Sequence, residues 1–300
     1  MKKQFIFLFI AIFSIGVVIG QSNESKPEKK KERPVRSMFE SSILIDDQTS
    51  IIPIKNTLVM HIQHRFGLIK TNGASDLFGI YAASANTRMG LNYSILNNLS
   101  VGYGITRKNM YNDFQVKWAF LKQTRSGSVP LNLAVYANMA IDGRKSSTFG
   151  DDYEFANRLS YFTQLIAGRK FNEWFSMELS VSYSHFNAVP AETINVKGYE
   201  HSVFGAGGHM RFKFSPQSSI LLMYSSPIFI EGMAENREVM NTWSPNFGLA
   251  YEVATSTHAF QIFVTTANGI IPQDIYIYNT SELGDSEIRF GFNITRLWGL

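Results

Sequence analysis

Two places in the chain set a serine beside a histidine, Ser184-His185 and His201-Ser202. A serine becomes a nucleophile when an imidazole on the same side of the backbone takes its proton. In a strand this requires a spacing of two, or residues on neighbouring strands, because successive side chains point to opposite faces. Both pairs have a spacing of one, so neither is a nucleophile and base in itself. Metal chemistry is equally thin. His61 and His64 are three apart, hence on opposite faces of a strand, and the chain has no cysteine to join them. The acidic run "GDDYE" (Gly150 to Glu154) lacks the spaced Asp/Asn/Gly pattern of a calcium loop and reads as a solvated segment. No catalytic residue, metal or cofactor is assigned, and the chain is read as a non-enzyme.

The elements that would position any site are strands. In "MGLNYSILNNLSVGYGI" the apolar residues Met89, Leu91, Tyr93 and Ile95 alternate with Gly90, Asn92 and Ser94. After a short Asn-rich break, Leu99, Val101, Tyr103 and Ile105 alternate with Ser100, Gly102 and Gly104. Period two is the mark of a strand with one apolar face. The same comb returns at 58–62, 114–120, 131–141, 159–165, 175–183, 204–214, 220–224, 247–253, 260–264 and 288–294.

These combs predict about 12 strands (range about 10–14) of roughly ten residues, the length that crosses a bilayer at a tilt. A soluble sandwich also alternates, but its second face meets water and carries Lys and Glu. Here the second face is mainly Gly, Ser, Asn, Thr and Ala, which suits a confined interior. The gaps between strands run to about 20 residues, then about 3, 5, 8, 14, 6, 14, 3, 18, 2 and 18, long and short in alternation as in outer-membrane barrels. The third gap, Arg107 to Tyr111, is the exception. The expected fold is all-β, a transmembrane antiparallel up-and-down barrel with both termini in the periplasm.

Charge and hydropathy divide the chain further. It has 300 residues, 45% apolar and 17% charged, with a formal charge of +4. Residues 21–36 hold six Lys/Arg against three Glu, whereas 37–300 hold 20 basic and 21 acidic side chains. The basic character therefore belongs to a tail, and nucleic acid is not an expected partner. Residues 1–20, with Lys2 and Lys3 ahead of an apolar run, are expected to be a cleaved signal peptide. Residues 21–36 read as a polar, charged linker, 37–56 as a periplasmic segment or a plug for the lumen, and 57–300 as the barrel. Lipid anchoring through cysteine is excluded by composition.

Several stretches resemble an uncharacterised family of Gram-negative outer-membrane β-barrel proteins, a domain of unknown function. They are "FESSILIDDQTSIIPIKN" (Phe39 to Asn56), "IQHRFG" (Ile62 to Gly67), "ANTRMGLNY" (Ala85 to Tyr93), "RLSYFTQLI" (Arg158 to Ile166), "THAFQIF" (Thr257 to Phe263) and "FGFNITRLW" (Phe290 to Trp298). The resemblance implies a barrel and an outer-membrane address. It transfers no functional residues.

With the strands phased, Arg65, Arg88, Lys117, Arg158, Arg211, Lys213 and Arg289 are expected to point inward, against Asp113, Glu178 and Glu252. A surplus of cations in an enclosed lumen favours anions. The plainer reading is a side-chain ladder in which the carboxylates bridge several guanidinium groups. Arg88→Leu is expected to be tolerated structurally while altering conductance. Tyr93, Tyr103, Trp118, Tyr161, Tyr183, Tyr224, Tyr251 and Trp298 are expected on the lipid side as interfacial anchors.

Two functions remain in view: a small channel or carrier for a small solute, or an interaction barrel engaging a partner through its tail or its long loops, 226–244 and 268–285. The other expected partners are outer-membrane lipid and the barrel insertion machinery, which receives the terminal "NITRLWGL". A membrane-embedded lipid enzyme would return to view if a Ser and a His met across two strands on the outer face.

Overall fold

A computed structural model describes residues 32–70, 76–150, 152–191, 196–228, 230 and 244–300. The expected leader and most of the linker lie outside the described residues, as does most of the loop 226–244. Alternation produces the strands it predicts. In β3 (Thr57–Leu68) and β7 (Asn132–Ile141) every second residue is buried and those between are half-buried. The intervening barrel strands are β4 (Asn86–Leu96), β5 (Leu99–Thr106) and β6 (Asn112–Leu121). Next come β8 (Leu159–Lys170), β9 (Phe175–Ala191), β10 (Val196–Lys213), β11 (Ser218–Ile228), β12 (Asn246–Ala254), β13 (His258–Thr265) and β14 (Arg289–Gly299). Each pairs antiparallel with its sequence neighbours, and β14 pairs with β3 to close a twelve-stranded barrel.

Closure inverts the usual distribution of side chains. Arg65 and Asp113 are wholly buried, while Ile262 is 65% and Trp118 50% exposed. A strand crossing lipid needs apolar groups outside, and a closed sheet leaves no unpaired edge in the hydrocarbon. No described helix is long and apolar enough to cross a membrane.

One end of the barrel carries Thr57, Gly299 and the short connections 97–98, 122–131, 171–174, 214–217 and 255–257; we call it the terminal end. The loop end carries 69–85, 107–111, 142–158, 192–195, 229–245 and 266–288. The connection at 192–195 is shorter than the gap of about 14 residues expected there, because β9 and β10 extend to 17 and 18 residues. The register slips between Tyr199↔Val189 and His201↔Phe186, so Asn187 and Ala188 stand opposite Glu200 alone. This bulge absorbs the break in alternation that marks the end of the comb in the sequence.

Two further elements lie inside the wall. The first is a small hairpin, β1 (Ile43–Leu44) and β2 (Asp47–Gln48), within a stretch from Met38 to Ser50 that is buried except at the half-buried Glu40. The second is the helix α1 (Pro272–Tyr278), in the β13–β14 connection, with Pro272 to Ile277 buried. Proline at the first helical position has no donor to lose and its φ is already helical. The hairpin enters from the terminal end and α1 from the loop end.

Candidate functional site

The lumen is filled by the chain's own hairpin, held by side chains from around the wall. At the hairpin turn Ile45 adopts φ +55°, a left-handed conformation that β-branched residues rarely take. Three wall residues impose it. Gln261 Oε1 accepts from the Ile45 N–H at 3.1 Å, while Arg65 Nη2 and Asn293 Nδ2 donate to the Ile45 carbonyl at 2.9 and 2.7 Å. The next residue, Asp46, accepts from Arg65 Nε at 2.8 Å and from Asn246 Nδ2 at 3.0 Å, and also from the Thr265 hydroxyl.

The remaining anchors follow the same logic. Lys117 Nζ donates to the carbonyls of Ser42 and Thr49, both at 2.8 Å. Glu178 accepts from the Ser50 N–H at 3.0 Å and from the Ser50 hydroxyl. His209 stands between Glu178 (2.9 Å) and Asp47 (3.4 Å). Arg211 donates to the Met38 carbonyl at 2.8 Å and to Glu40 at 2.5 Å, where Lys213 joins it at 3.3 Å. Beneath this polar net, Met38, Phe39, Leu44 and Ile45 pack on the inward residues Leu221, Met223, Ala250 and Phe263.

The wall cations and the hairpin anions are complementary. Burial alone would raise the carboxyl of Glu40, but the charge and hydrogen bond of Arg211, with Lys213, hold it below its usual range. The carboxyl of Asp47 is likewise lowered: contact with His209 and hydrogen bonds from Gln164 and the Gln48 N–H outweigh burial. At the other end of the lumen, burial raises the phenol of Tyr276, which stays neutral and stacks on Phe162 at 5.7 Å. Gln273 donates to Asn138 Oδ1 at 2.8 Å, and Tyr111 donates to Asp274 at 2.9 Å. Between hairpin and wall, the space beside Ser42, Gln115, Lys117 and Tyr136 is about 10 Å³, room for roughly one water. At the terminal mouth a larger cavity, about 180 Å³, is bordered by Arg36, Glu40, Lys170, Trp174, Arg211 and Lys213.

The residues predicted from strand phase separate into three groups. Arg65, Lys117, Glu178 and Arg211 reach the hairpin. Arg88 and Asp113 pair within the wall through two parallel hydrogen bonds of 2.8 and 2.7 Å. They fit because Gly104 lies beneath them: a β-carbon there would sit 2.6 Å from Asp113 Oδ2. Glu252 also stays in the wall, accepting from Gln261 at 2.9 Å and lying 3.7 Å from Arg211. Arg158, Arg289 and Lys213 are placed toward the ends. Arg158 is not a lumen residue. It lies in a 3-10 turn, Phe155–Arg158, at the loop end, stacked 5.2 Å from Phe149 and donating to the carbonyls of Asp142 and Arg144. The turn ends one residue before β8 begins, a boundary that strand phase alone does not reveal.

Arg289 ties β14 to the Thr266 carbonyl and to Ser281, and Lys213 lies half-exposed at the terminal mouth. Of the aromatic residues named as interfacial anchors, Tyr103, Trp118, Tyr161, Tyr224 and Tyr251 are exposed, and Tyr93, Tyr183 and Trp298 half-buried. Arg296 lies beside Trp298, 5.0 Å from its ring. Periodicity missed Glu40, Asp46 and Asp47, which precede the first barrel strand, and His209, which it left without a partner.

A family model described as a membrane bound beta barrel domain (DUF5777) matches residues 39–298. The chain belongs to that family. No curated protein matches the sequence. Among solved structures, the NanC porin is similar at 8% identity and a TM-score of 0.48, covering 81% of this chain and 99% of that one. The KdgM porin gives 6%, 0.44, 80% and 98% in the same terms. An outer membrane channel from Pseudomonas putida F1 gives 11%, 0.46, 82% and 97%. At such identities the likeness concerns the barrel alone. The family match begins at Phe39, so this membrane-bound β-barrel includes its hairpin as part of the domain.

Proposed function

We propose that the protein is a self-plugged outer-membrane channel for small anionic solutes, shut by its N-terminal hairpin, with both termini in the periplasm after export by the signal peptide. The observation that carries this reading is charge complementarity. Arg65, Lys117 and Arg211 direct their donors at the hairpin, and Glu40, Asp46 and Asp47 are its matching carboxylates. With the hairpin withdrawn, the wall keeps a cationic surplus, which favours anions in a low-dielectric enclosure. Twelve strands enclose more room than the roughly eight that side chains alone can fill.

The test uses planar bilayers and a reversible lock. The chain has no native cysteine, and Ile45 rests on Gly248, so Ile45→Cys with Gly248→Cys fastens the hairpin to β12 under oxidation. Weakening the clamp with Glu40→Gln and Asp46→Asn should give frequent, anion-preferring openings that the lock abolishes and reductant restores. Cation preference, or silence in the weakened variant, contradicts the proposal.

The apolar packing of Met38, Phe39, Leu44 and Ile45 favours a second reading. In that reading the hairpin is a permanent core, and the barrel engages a partner through its loops or tail. Silence in the weakened variant, with the hairpin still protected from protease, selects it.

A further inference from the structure

On the outer face of β9 and β10, Ser202 and His185 are direct cross-strand partners. Their backbone neighbours Ser184 and His201 turn inward and are buried, while Tyr183, His185, Asn187 and Ser202 are half-buried on the outer surface. We infer that Ser202, His185 and Asn187 form a serine acyl-hydrolase site at the lipid-facing surface, acting on the fatty-acyl ester bonds of membrane lipids. The inference does not depend on whether the hairpin leaves the lumen.

The hydrogen bonds run in one direction, and that direction assigns each role. Asn187 Nδ2 donates to the Ala156 carbonyl at 2.8 Å, which leaves its Oδ1 as an acceptor 3.0 Å from His185 Nε2. His185 must then carry its proton on Nε2, so Nδ1 presents a lone pair. Ser202 Oγ lies 2.8 Å from that nitrogen and donates to it. Tyr183 OH, 3.0 Å from Ser202 Oγ, supplies a donor on the other side of the oxygen. Nucleophile, base and a third group that fixes the base in the required tautomer are the constellation of serine hydrolysis, recognised by geometry and not by sequence order.

The fold places this cluster where esters are. His185 pairs with Tyr161, the third residue of β8 from the loop end, and their rings stack at 6.3 Å. Interfacial tyrosines mark the boundary of hydrocarbon and headgroups. Acyl ester linkages lie at that boundary. The bulge at Asn187 and Ala188 breaks the regular ladder beside His185, and Ala156 belongs to the turn whose backbone anchors the Asn187 amide. Bulges commonly re-aim side chains next to active sites.

In the reaction, Ser202 Oγ attacks the ester carbonyl carbon as its proton passes to His185 Nδ1. The ester C–O bond breaks, and the departing alkoxide takes that proton to leave as the lysolipid alcohol. Water then attacks the acyl-Ser202 carbonyl, giving its proton to His185, and the acyl–Oγ bond breaks as Oγ recovers it, releasing the fatty acid. Tyr183 OH, freed once Oγ bonds carbon, can turn to the developing oxyanion.

The test uses the full-length barrel in detergent micelles, with diacyl phosphatidylethanolamine in one arm and lipid A in the other, plus a fluorophosphonate probe. Fatty-acid release in either arm is expected, and identifies the lipid. The probe adduct should map to Ser202 by mass spectrometry of the wild-type protein, independently of any variant's folding. Ser202→Ala should abolish release and labelling, and His185→Ala should slow release by about 10²–10⁴-fold. Release that persists in Ser202→Ala overturns the inference. So does a wild-type barrel, shown folded by heat-dependent gel mobility, that neither releases fatty acid nor takes the probe on Ser202.

Discussion

Arg65 grips Asp46 through Nε at 2.8 Å and Nη2 at 2.5 Å, joining the third strand of the chain to the turn of the hairpin, with both side chains almost wholly out of solvent. Removing one partner of such a pair strands the other charge and costs about 3–5 kcal/mol. Asp46→Ala is therefore expected to loosen the hairpin while the strands of the wall stay paired. Limited proteolysis should cut within 37–56 in the variant and spare the same segment in the wild type.

Acid should loosen the same clamp. The carboxyls of Glu40 and Asp47 are held below their ordinary values in the folded chain. A depressed carboxyl contributes stability above its unfolded value and loses it as pH falls through the folded value. Hairpin protection, read by hydrogen exchange at the amides of 38–50, should hold at pH 6 and decline below the usual carboxylate range, near pH 4 and lower. A hairpin that loosens instead as pH rises from 6 to 8 would assign control to other groups.

Arg88→Leu should not be benign. Arg88 is the paired base of Asp113, and both are buried. The expectation from strand phase, that an inward arginine tolerates loss of its charge, does not include this partner. Loss of the guanidinium leaves the buried Asp113 carboxylate with only the Asn138 amide as donor, at 2.9 Å, and should lower resistance to urea, again by about 3–5 kcal/mol. Arg88→Leu with Asp113→Leu should recover most of it in a double-mutant cycle.

Gly205 makes room for α1. A β-carbon there would overlap the Tyr276 ring. Gly205→Val should push the helix out of the lumen at a cost of about 1–3 kcal/mol. The region around 272–278 should become accessible to protease while the hairpin stays protected.

Leu91, 50% exposed midway along β4, faces lipid. Leu91→Arg should cost about 2–4 kcal/mol at the bilayer midplane and reduce the yield of folded barrel. Arg296 offers the contrast, being outward but close to the terminal end of β14, where a charge costs about 0–1 kcal/mol. Equal assembly yields for Leu91→Arg and the wild type would contradict a lipid-facing comb.

The sequence by itself determined the wall. Period two is a local property: once Met89, Leu91 and Tyr93 share a face, Gly90, Asn92 and Ser94 must share the other, and twelve repetitions leave only the closing pair, β14 with β3, to supply. What no local pattern encodes is which distant groups meet. Asp46 and Arg65, or Ser50 and Glu178, are brought together by a segment with little regular secondary structure, whose path is fixed by the volume inside a closed barrel and by the need to neutralise buried charge. The bulge at Asn187 and the cross-strand contact of Ser202 with His185 depend on register. Register is set when whole strands pair, so the same two residues that look unproductive within their own strands become neighbours only in the sheet.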